Sequence, residues 1–290
     1  MVPLLITMDL EVAGDHDPEG QKNILNTISS DINDLNLPLT IFLTCDSMDY
    51  FGERIRVFDT PENEIGIHGF NHSVSENYAK LDEVTIRRNL ELSRNKISHF
   101  FKRKAETFRG PYNSTSAITQ KVLTEFGIKS DFSVCSQRID FMNSKGGDLR
   151  WLISPRQPYH PSDSSPYKKG DSPLWVIPLS CIGIPFISSV LYIFGLEFMK
   201  LFFRILLKES ISTNKPIVYL FHSYEFSKDI NSVSSDTNNL SKSFLHNLYI
   251  SDAGKRYELN LNLLRYMLSF KEIQPMNSSQ LINYLERNPN

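Results

Sequence analysis

The stretch LLITMDLE, residues 4–11, is a short and largely apolar run that ends in two acids, Asp9 and Glu11. The segment 4–8 has the length and composition of a buried strand. Side chains two positions apart on a strand point to the same face, so Asp9 and Glu11 are expected to converge while Leu10 points away. The alternative is a solvated strand end that carries two unrelated acids. The stretch therefore predicts an opening strand with candidate functional acids at its carboxyl end.

Outward from this strand, apolar runs alternate with helical patterns along the chain. Further strands are predicted at 39–44, 64–67, 107–108, 130–134, 174–179 and 217–221. Helices are predicted at 18–35, 80–101, 114–126 (capped by Asn113 or Ser114), 186–207, 255–270 and 278–287. This alternation is typical of an α/β protein with a largely parallel sheet. We predict one barrel-like catalytic domain over residues 1–290, with an insertion or a lipid-facing segment at 156–208.

Composition excludes several classes of protein. The 290 residues include 31 Lys and Arg against 33 Asp and Glu, a net charge of −2, so no basic excess points to nucleic acid. Three distant cysteines form no CxxC pair and indicate a reducing compartment rather than a disulfide framework. The amino terminus lacks the basic and apolar regions of a signal peptide, which predicts a cytoplasmic location.

Two histidines, His68 and His72, stand four residues apart in the segment HGFNH. Such a pair can share one metal ion on a helical turn or a tight loop, and zinc is the natural first choice. Two polar loop residues are the alternative. A carboxylate from Glu11 or Asp9 would complete a His₂-carboxylate set with one position open for water, which is typical of a catalytic metal site.

Three other segments place polar residues at predicted strand ends. In RGPY, residues 109–112, Arg109 can bind a carboxylate through two hydrogen bonds, although a rigid strand-to-helix turn is the alternative interpretation. Asp131 precedes Phe132 within the fifth predicted strand. His222 follows the last strand and is either a core histidine or a catalytic one.

The order and character of these segments resemble the polysaccharide deacetylase superfamily, also called the NodB homology domain or carbohydrate esterase family four. That family has five motifs, which are matched here by Asp9 with Glu11, His68-x-x-x-His72, Arg109-Gly-Pro-Tyr112, Asp131-Phe132 and Leu220-Phe-His222. The motifs extend over about three quarters of the chain. The resemblance implies a distorted (β/α)₇ barrel of the NodB type and an amide hydrolase that acts on amino sugars.

The resemblance also implies roles for the residues that transfer protons. Asp9 would be the general base, and Arg109 would hold and tune it. His222 would be the general acid that protonates the leaving amine, with Asp131 orienting it. The backbone amide of Tyr112 would help to stabilise the oxyanion.

The metal ligands implied by the resemblance are His68, His72 and a carboxylate, with Zn²⁺ as the expected divalent ion. Here the sequence departs from the family pattern of two adjacent aspartates, because position 10 is leucine. Glu11 returns to the face of Asp9 and is therefore our choice of carboxylate ligand. If the Glu11 side chain does not reach the metal, Asp9 would have to bind it. The assignment of Asp9 as the general base would then be open.

Residues 186–207 bear on the substrate. Glu197, Lys200 and Arg204 form a polar stripe on an otherwise apolar helix, which fits either a buried helix or one that lies in a membrane interface. With no export signal, this resembles the branch that deacetylates amino sugars on undecaprenyl phosphate for lipid A or O-antigen modification. The leading prediction is removal of an N-acetyl group from such a lipid-linked sugar, plausibly N-acetylgalactosamine, by a peripheral protein at the cytoplasmic face of the inner membrane. The alternatives are a deacetylase or deformylase of a soluble sugar nucleotide or other cyclic amide, and an inactive module that binds sugar or lipid.

Overall fold

The computed structural model describes residues 1–12, 18–139, 149–229 and 248–288. Its strands, in chain order, are β1 (Val2–Leu10), β2 (Leu39–Leu43), β3 (Glu64–Ile67), β4 (Thr107–Phe108), β5 (Ser130–Asp131), β6 (Pro161–Ser162), β7 (Ser165–Lys169), β8 (Trp175–Val176), β9 (Cys181–Ile182), β10 (Ile184–Pro185), β11 (Ile217–His222) and β12 (Ile273–Pro275). Its α-helices are α1 (Pro18–Asp34), α2 (Cys45–Phe51), α3 (Glu83–Phe101), α4 (Ala117–Glu125), α5 (Ser188–Thr213), α6 (Ala253–Leu268) and α7 (Ser278–Arg287).

The main sheet is parallel and has the strand order β11-β1-β2-β3-β4-β5-β8, with β12 added beside β1. The sheet curls until its two ends approach each other. The Val218 amide donates to Ser180 Oγ at 2.9 Å, and the Ser180 amide donates to the Val218 carbonyl at 3.4 Å, so the segment after β8 contacts β11. The predicted α/β barrel of the NodB type is therefore confirmed.

Alternation along β1 separates two hydrophobic layers. Leu4, Ile6, Met8 and Leu10 pack with the helices in the larger cluster, whereas Leu5 joins a second cluster on the other face of the sheet. The second cluster includes Phe42 and residues of α7 such as Leu281. Since side chains alternate along a strand, Asp9 lies on the Leu5 face, inside the curl of the sheet. This sets the direction in which the candidate site faces.

Helix α4 begins later than the sequence indicated, and its cap is neither Asn113 nor Ser114. Ser116 is the cap, and its hydroxyl accepts from the Thr119 amide at 3.1 Å. Tyr112 and Asn113 have φ values of 60° and 52°, which are incompatible with a right-handed helix. The Ser114 hydroxyl is already bonded to the Pro111 carbonyl and the Tyr78 amide.

The predicted loop or hairpin at 156–173 contains the antiparallel pair β6–β7.

Helix α5 is longer than the predicted 186–207 segment and is interrupted at Gly195, where φ is 82°. One face is core, with Val190, Leu191, Tyr192, Met199, Phe203 and Leu206 fully buried. The opposite face exposes a row of apolar side chains: Phe194 (43%), Phe198 (37%), Leu201 (57%) and Ile205 (50%). The buried-helix interpretation therefore describes one face of α5, and the contact of the exposed face with a membrane stays a prediction. None of the described helices has the length and hydropathy needed to cross a membrane.

Candidate active site

The candidate site lies at the carboxyl ends of parallel strands. Asp9 on β1 is paired in register with His222, the last residue of β11. Glu11 follows β1, His68 follows β3 and Arg109 follows β4. In parallel α/β folds these strand ends share one edge of the sheet, which is where functional side chains usually gather. The strands thus bring together residues that lie more than two hundred positions apart in sequence, such as Asp9 and His222.

Glu11, His68 and His72 form a cluster of potential metal ligands. One ligand atom from each lies within 4.8 Å of the other two. His72 Nε2 is 2.9 Å from Glu11 Oε2, and His68 Nε2 is 3.9 Å from the same oxygen. Glu11 Oε2 is buried and accepts no hydrogen bond within the described part of the chain. Two imidazole nitrogens and one carboxylate oxygen are a donor set that suits Zn²⁺ with an open coordination position.

The tautomer of His68 is fixed by the backbone of Arg109. His68 Nδ1 lies 2.8 Å from the Arg109 carbonyl, and since a carbonyl only accepts, Nδ1 must carry the proton. Burial lowers the pKa of His68 although the Asp9 charge opposes this, so the ring is neutral at neutral pH. Nε2 therefore keeps its lone pair and faces Glu11. A histidine whose second nitrogen donates to a backbone carbonyl is the usual arrangement for a metal ligand.

Asp9 is held by Arg109 in a buried ion pair. Arg109 Nη1 donates to Asp9 Oδ1 at 2.6 Å, and Nη2 donates to Thr7 Oγ1 at 3.0 Å. Burial on its own would raise the pKa of Asp9, but the charges of Arg109 and His222 lower it, so the group is ionised. Oδ2 remains next to the cluster, 3.6 Å from His68 Nε2. Because Oδ1 is already occupied by Arg109, the geometry favours Glu11 over Asp9 as the carboxylate ligand.

His222 is oriented by Glu225, and the predicted role of Asp131 in this contact is wrong. His222 Nδ1 lies 3.1 Å from Glu225 Oε1, which leaves Nε2 4.0 Å from Asp9 Oδ2. Burial alone would lower the pKa of His222, but the hydrogen bond and charge of Glu225, with the charges of Glu11 and Asp9, raise it to about 9. The ring is therefore a cation at neutral pH. Glu225 is itself bonded to the Ser188 hydroxyl at 2.9 Å.

Asp131 instead supports the loop that carries Arg109. Its carboxylate accepts from the Thr115 hydroxyl at 2.9 Å, the Gln120 amide at 3.0 Å and the Ser133 backbone amide at 2.9 Å. Ser133 Oγ in turn accepts from the Gly110 amide at 2.7 Å. Burial raises the pKa of Asp131 although these hydrogen bonds oppose it. Asp131 is thus a structural neighbour of the site rather than a partner of His222.

Tyr112 packs directly against one of the candidate ligands. Its ring centroid is 4.4 Å from that of His72, and its hydroxyl donates to the His72 carbonyl at 2.9 Å. The side chain of Tyr112 therefore helps to fix the loop that carries His72. Tyr112 has a left-handed backbone conformation, with φ of 60°, and lies in the turn 110–113 at the same edge of the sheet. The role of its backbone amide toward an oxyanion stays a prediction.

Comparison of the sequence with known families gives one match. The sequence model of the polysaccharide deacetylase family matches residues 14–130, a segment that contains His68, His72 and Arg109 but neither the acids of β1 nor His222. No curated protein matches the chain. The family match therefore covers less than half of the sequence. The other motifs lie outside the matched segment, so their comparison depends on solved structures with the same fold.

Solved structures with the same fold cover nearly the whole chain. A protein from Pseudomonas aeruginosa PAO1 assigned as a polysaccharide deacetylase superposes with a TM-score of 0.64 at 12% identity, covering 99% of this chain and 92% of its own. A protein from Mycobacterium smegmatis with the same assignment gives 0.63 at 14% identity, with coverages of 99% and 90%. The PuuE allantoinase gives 0.61 at 12% identity, with coverages of 99% and 91%. At such identities the likeness shows the fold, and with the family match it supports the polysaccharide deacetylase superfamily.

The raised pKa of His222 should depend on Glu225 and not on Asp131. Glu225→Gln removes the adjacent charge, so we expect the pKa of His222 to fall from about 9 by about 1–3. Asp131→Asn is the matched control and should leave that pKa unchanged. The measurement is the pH titration of the His222 ring nitrogens by NMR in the metal-free protein. A pKa that falls in Asp131→Asn and stays in Glu225→Gln would restore the sequence-based assignment.

Proposed function

We propose that the protein is a metal-dependent N-deacetylase that removes the acetyl group from an undecaprenyl-phosphate-linked amino sugar. One observation carries the hydrolase part of the proposal. A His₂-carboxylate cluster, Glu11 with His68 and His72, lies beside an ionised acid held by arginine and a histidine cation held by glutamate. A module that only binds sugar or lipid needs neither of those two proton-transfer groups, which speaks against the inactive alternative.

The donor set fits a divalent metal. Glu11 would supply a carboxylate oxygen, and His68 and His72 would supply Nε2 atoms that already face that oxygen. The three ligands would leave one position for the reacting groups, as in catalytic zinc sites. When bound there, Zn²⁺ or a similar ion lowers the pKa of water and polarises the amide carbonyl.

Asp9 has the position and the charge of a general base. Arg109 occupies Oδ1, so the proton of the attacking water would be taken by Oδ2, which faces the cluster. The fixed guanidinium also keeps the carboxylate from rotating. Its plane lies over the Phe42 ring at 4.4 Å, which shields the ion pair from water on that side. Asp9 thereby holds an accepting oxygen in place without a change of conformation.

His222 has the charge and the position of a general acid. It is protonated at neutral pH because Glu225 raises its pKa to about 9. Nε2 can donate its proton to the amine nitrogen as the carbon–nitrogen bond breaks, so that acetic acid and an amine form and leave, after transfer of the acid's proton to the amine, as acetate and an ammonium ion. Asp9 Oδ2, 4.0 Å away, can return the proton taken from water to the imidazole. The proton balance of the hydrolysis therefore closes within this pair.

The lipid-linked substrate is supported by the exposed face of α5. The side chains of Phe194, Phe198, Leu201 and Ile205 recur at three- and four-residue spacing and are each exposed by a third or more. Lys200, which is paired with Glu197 at 2.7 Å, and Arg204 lie on the same helix beside this row. An apolar row flanked by cations is the pattern of a helix that lies on an anionic membrane surface. Such contact would place the site near sugars carried by a membrane lipid.

The activity test uses purified, metal-loaded protein and an N-acetylated amino sugar on undecaprenyl phosphate, with released acetate as the readout. We expect His222→Ala to keep its fold and bound metal while kcat falls by about 10²–10⁴, the usual contribution of a general acid. His99→Ala, an exposed histidine at the end of α3, is the control and should retain activity. Turnover confined to water-soluble sugars would favour the soluble-substrate alternative, and binding without any turnover would favour the inactive module.

The membrane contact is tested by changing the exposed row of α5 to serine at Phe194, Phe198, Leu201 and Ile205. Half-burial of each side chain in lipid is worth roughly 1 kcal/mol, so the fourfold variant should bind vesicles about 10²–10³ times more weakly. The readout is flotation with vesicles of phosphatidylethanolamine and phosphatidylglycerol. Because the row is exposed, thermal stability should change little, whereas Phe203→Ala in the core should cost about 3–5 kcal/mol. A wild-type protein that never floats with the vesicles would contradict the membrane contact.

A further inference from the structure

A buried carboxylate, Glu76, lies beneath the loop that carries His72. Glu76 is only 4% exposed, and its two oxygens accept hydrogen bonds from three consecutive backbone amides. Oε1 accepts from Phe70 at 2.5 Å, and Oε2 accepts from Asn71 at 2.8 Å and from His72 at 2.7 Å. Three amides in sequence that converge on one anion fix the path of the backbone between His68 and His72.

Two side chains complete the surroundings of this carboxylate. The Tyr78 hydroxyl and the Asn89 amide each donate to Glu76 Oε1 at 3.2 Å. Hydrogen bonds to a charged acceptor are about twice as strong as neutral ones, and a buried carboxylate is stable only when such donors surround it. Five hydrogen-bond donors therefore surround the two oxygens of Glu76. They stabilise the buried carboxylate and fix the loop that packs over it.

The loop wraps closely around Glu76, and its backbone is held in a conformation that few residues adopt. Gly69 has φ of 76°, and a Cβ placed there would lie 2.7 Å from Glu76 Oε1. His72 has φ of 54°, in the left-handed region that residues with a side chain rarely adopt. The hydrogen bond that the His72 backbone amide donates to Glu76 stabilises that conformation. In this conformation His72 Nε2 lies 2.9 Å from Glu11 Oε2.

We propose that Glu76 is a positioning residue for the metal centre, acting on His72 through the backbone of residues 70–72. The inference rests on the proposed metal site and adds a residue that touches neither metal nor substrate. Partners of this kind commonly change metal affinity or activity by about 10–100-fold when they are lost. Glutamine at position 76 would keep the volume but place an amide NH₂ against backbone N–H groups, because donors approach both oxygens.

The test measures Zn²⁺ affinity of the full chain by competition with a chromophoric chelator, which does not depend on substrate or turnover. We expect Glu76→Gln to lower the affinity about 10–100-fold while far-UV circular dichroism stays that of the wild type. Glu64→Gln is the matched control. Glu64 is a partly buried carboxylate at the opposite end of β3 from His68, bonded to the Ser279 hydroxyl at 2.7 Å, and its loss should leave Zn²⁺ affinity unchanged.

The Co²⁺-substituted protein gives a second readout, since its visible spectrum reports the number and geometry of ligands. We expect an altered spectrum in Glu76→Gln and an unaltered one in Glu64→Gln. Should Glu76→Gln not fold, Glu76→Asp decides, because it keeps the charge but shortens the reach and should also weaken Zn²⁺ binding. Wild-type affinity and spectrum in a folded Glu76 variant would overturn the inference alone. A wild-type protein that binds neither ion would overturn the proposed metal centre instead.

Discussion

The buried ion pair between Arg109 and Asp9 is the contact on which the geometry of the site depends. The guanidinium reaches from the end of β4 to β1 inside the curled sheet, and both side chains are almost completely buried. The same residue fixes His68, because its carbonyl accepts from Nδ1. One arginine therefore positions the proposed base through its side chain and a candidate metal ligand through its backbone. Breaking such a buried pair typically costs about 3–5 kcal/mol, since one charge is left without a partner.

Around this pair the site separates its acids by their environments. Asp9 has a permanent cation as its partner, Glu225 has the imidazole of His222, and Glu11 has only imidazoles around a buried oxygen. A divalent ion would supply the positive charge that Glu11 lacks. Each carboxylate thus matches a different one of the proposed roles: proton acceptor, partner of an acid, and ligand. The separation explains how a small region can hold three carboxylates without one of them becoming protonated by the charge of the others.

The sequence predicted most of the fold and the residues that converge, because both depend on local pattern. Strand alternation at residues 4–11 correctly placed Asp9 on one face and Leu10 on the other. Four-residue spacing placed His68 and His72 near one another, although the turn between them depends on Glu76, which the pattern did not reveal. That carboxylate acts through backbone amides, and no spacing rule identifies an acceptor of backbone hydrogen bonds.

Two other differences have similar physical causes. Asp131 was assigned to His222 through the resemblance, but the local turn after His222 brings Glu225 closer, three residues along the chain. The pattern His-x-x-Glu at a strand end was the available signal. In α5 the helical period was clear, yet the interruption at Gly195 and the split between a core face and an exposed face follow from packing against β11 and α6. Tertiary packing is not encoded in the period of a single helix.

The proposed metal centre takes its carboxylate from Glu11 rather than from Asp9. A crystal structure of the zinc-soaked protein, with the ion located by anomalous scattering, tests it most directly. We expect one ion about 2.0–2.2 Å from Nε2 of His68, Nε2 of His72 and an oxygen of Glu11, with Asp9 Oδ1 still bonded to Arg109. An ion bound by Asp9 with Glu11 turned away, or no ion at these residues, would contradict it.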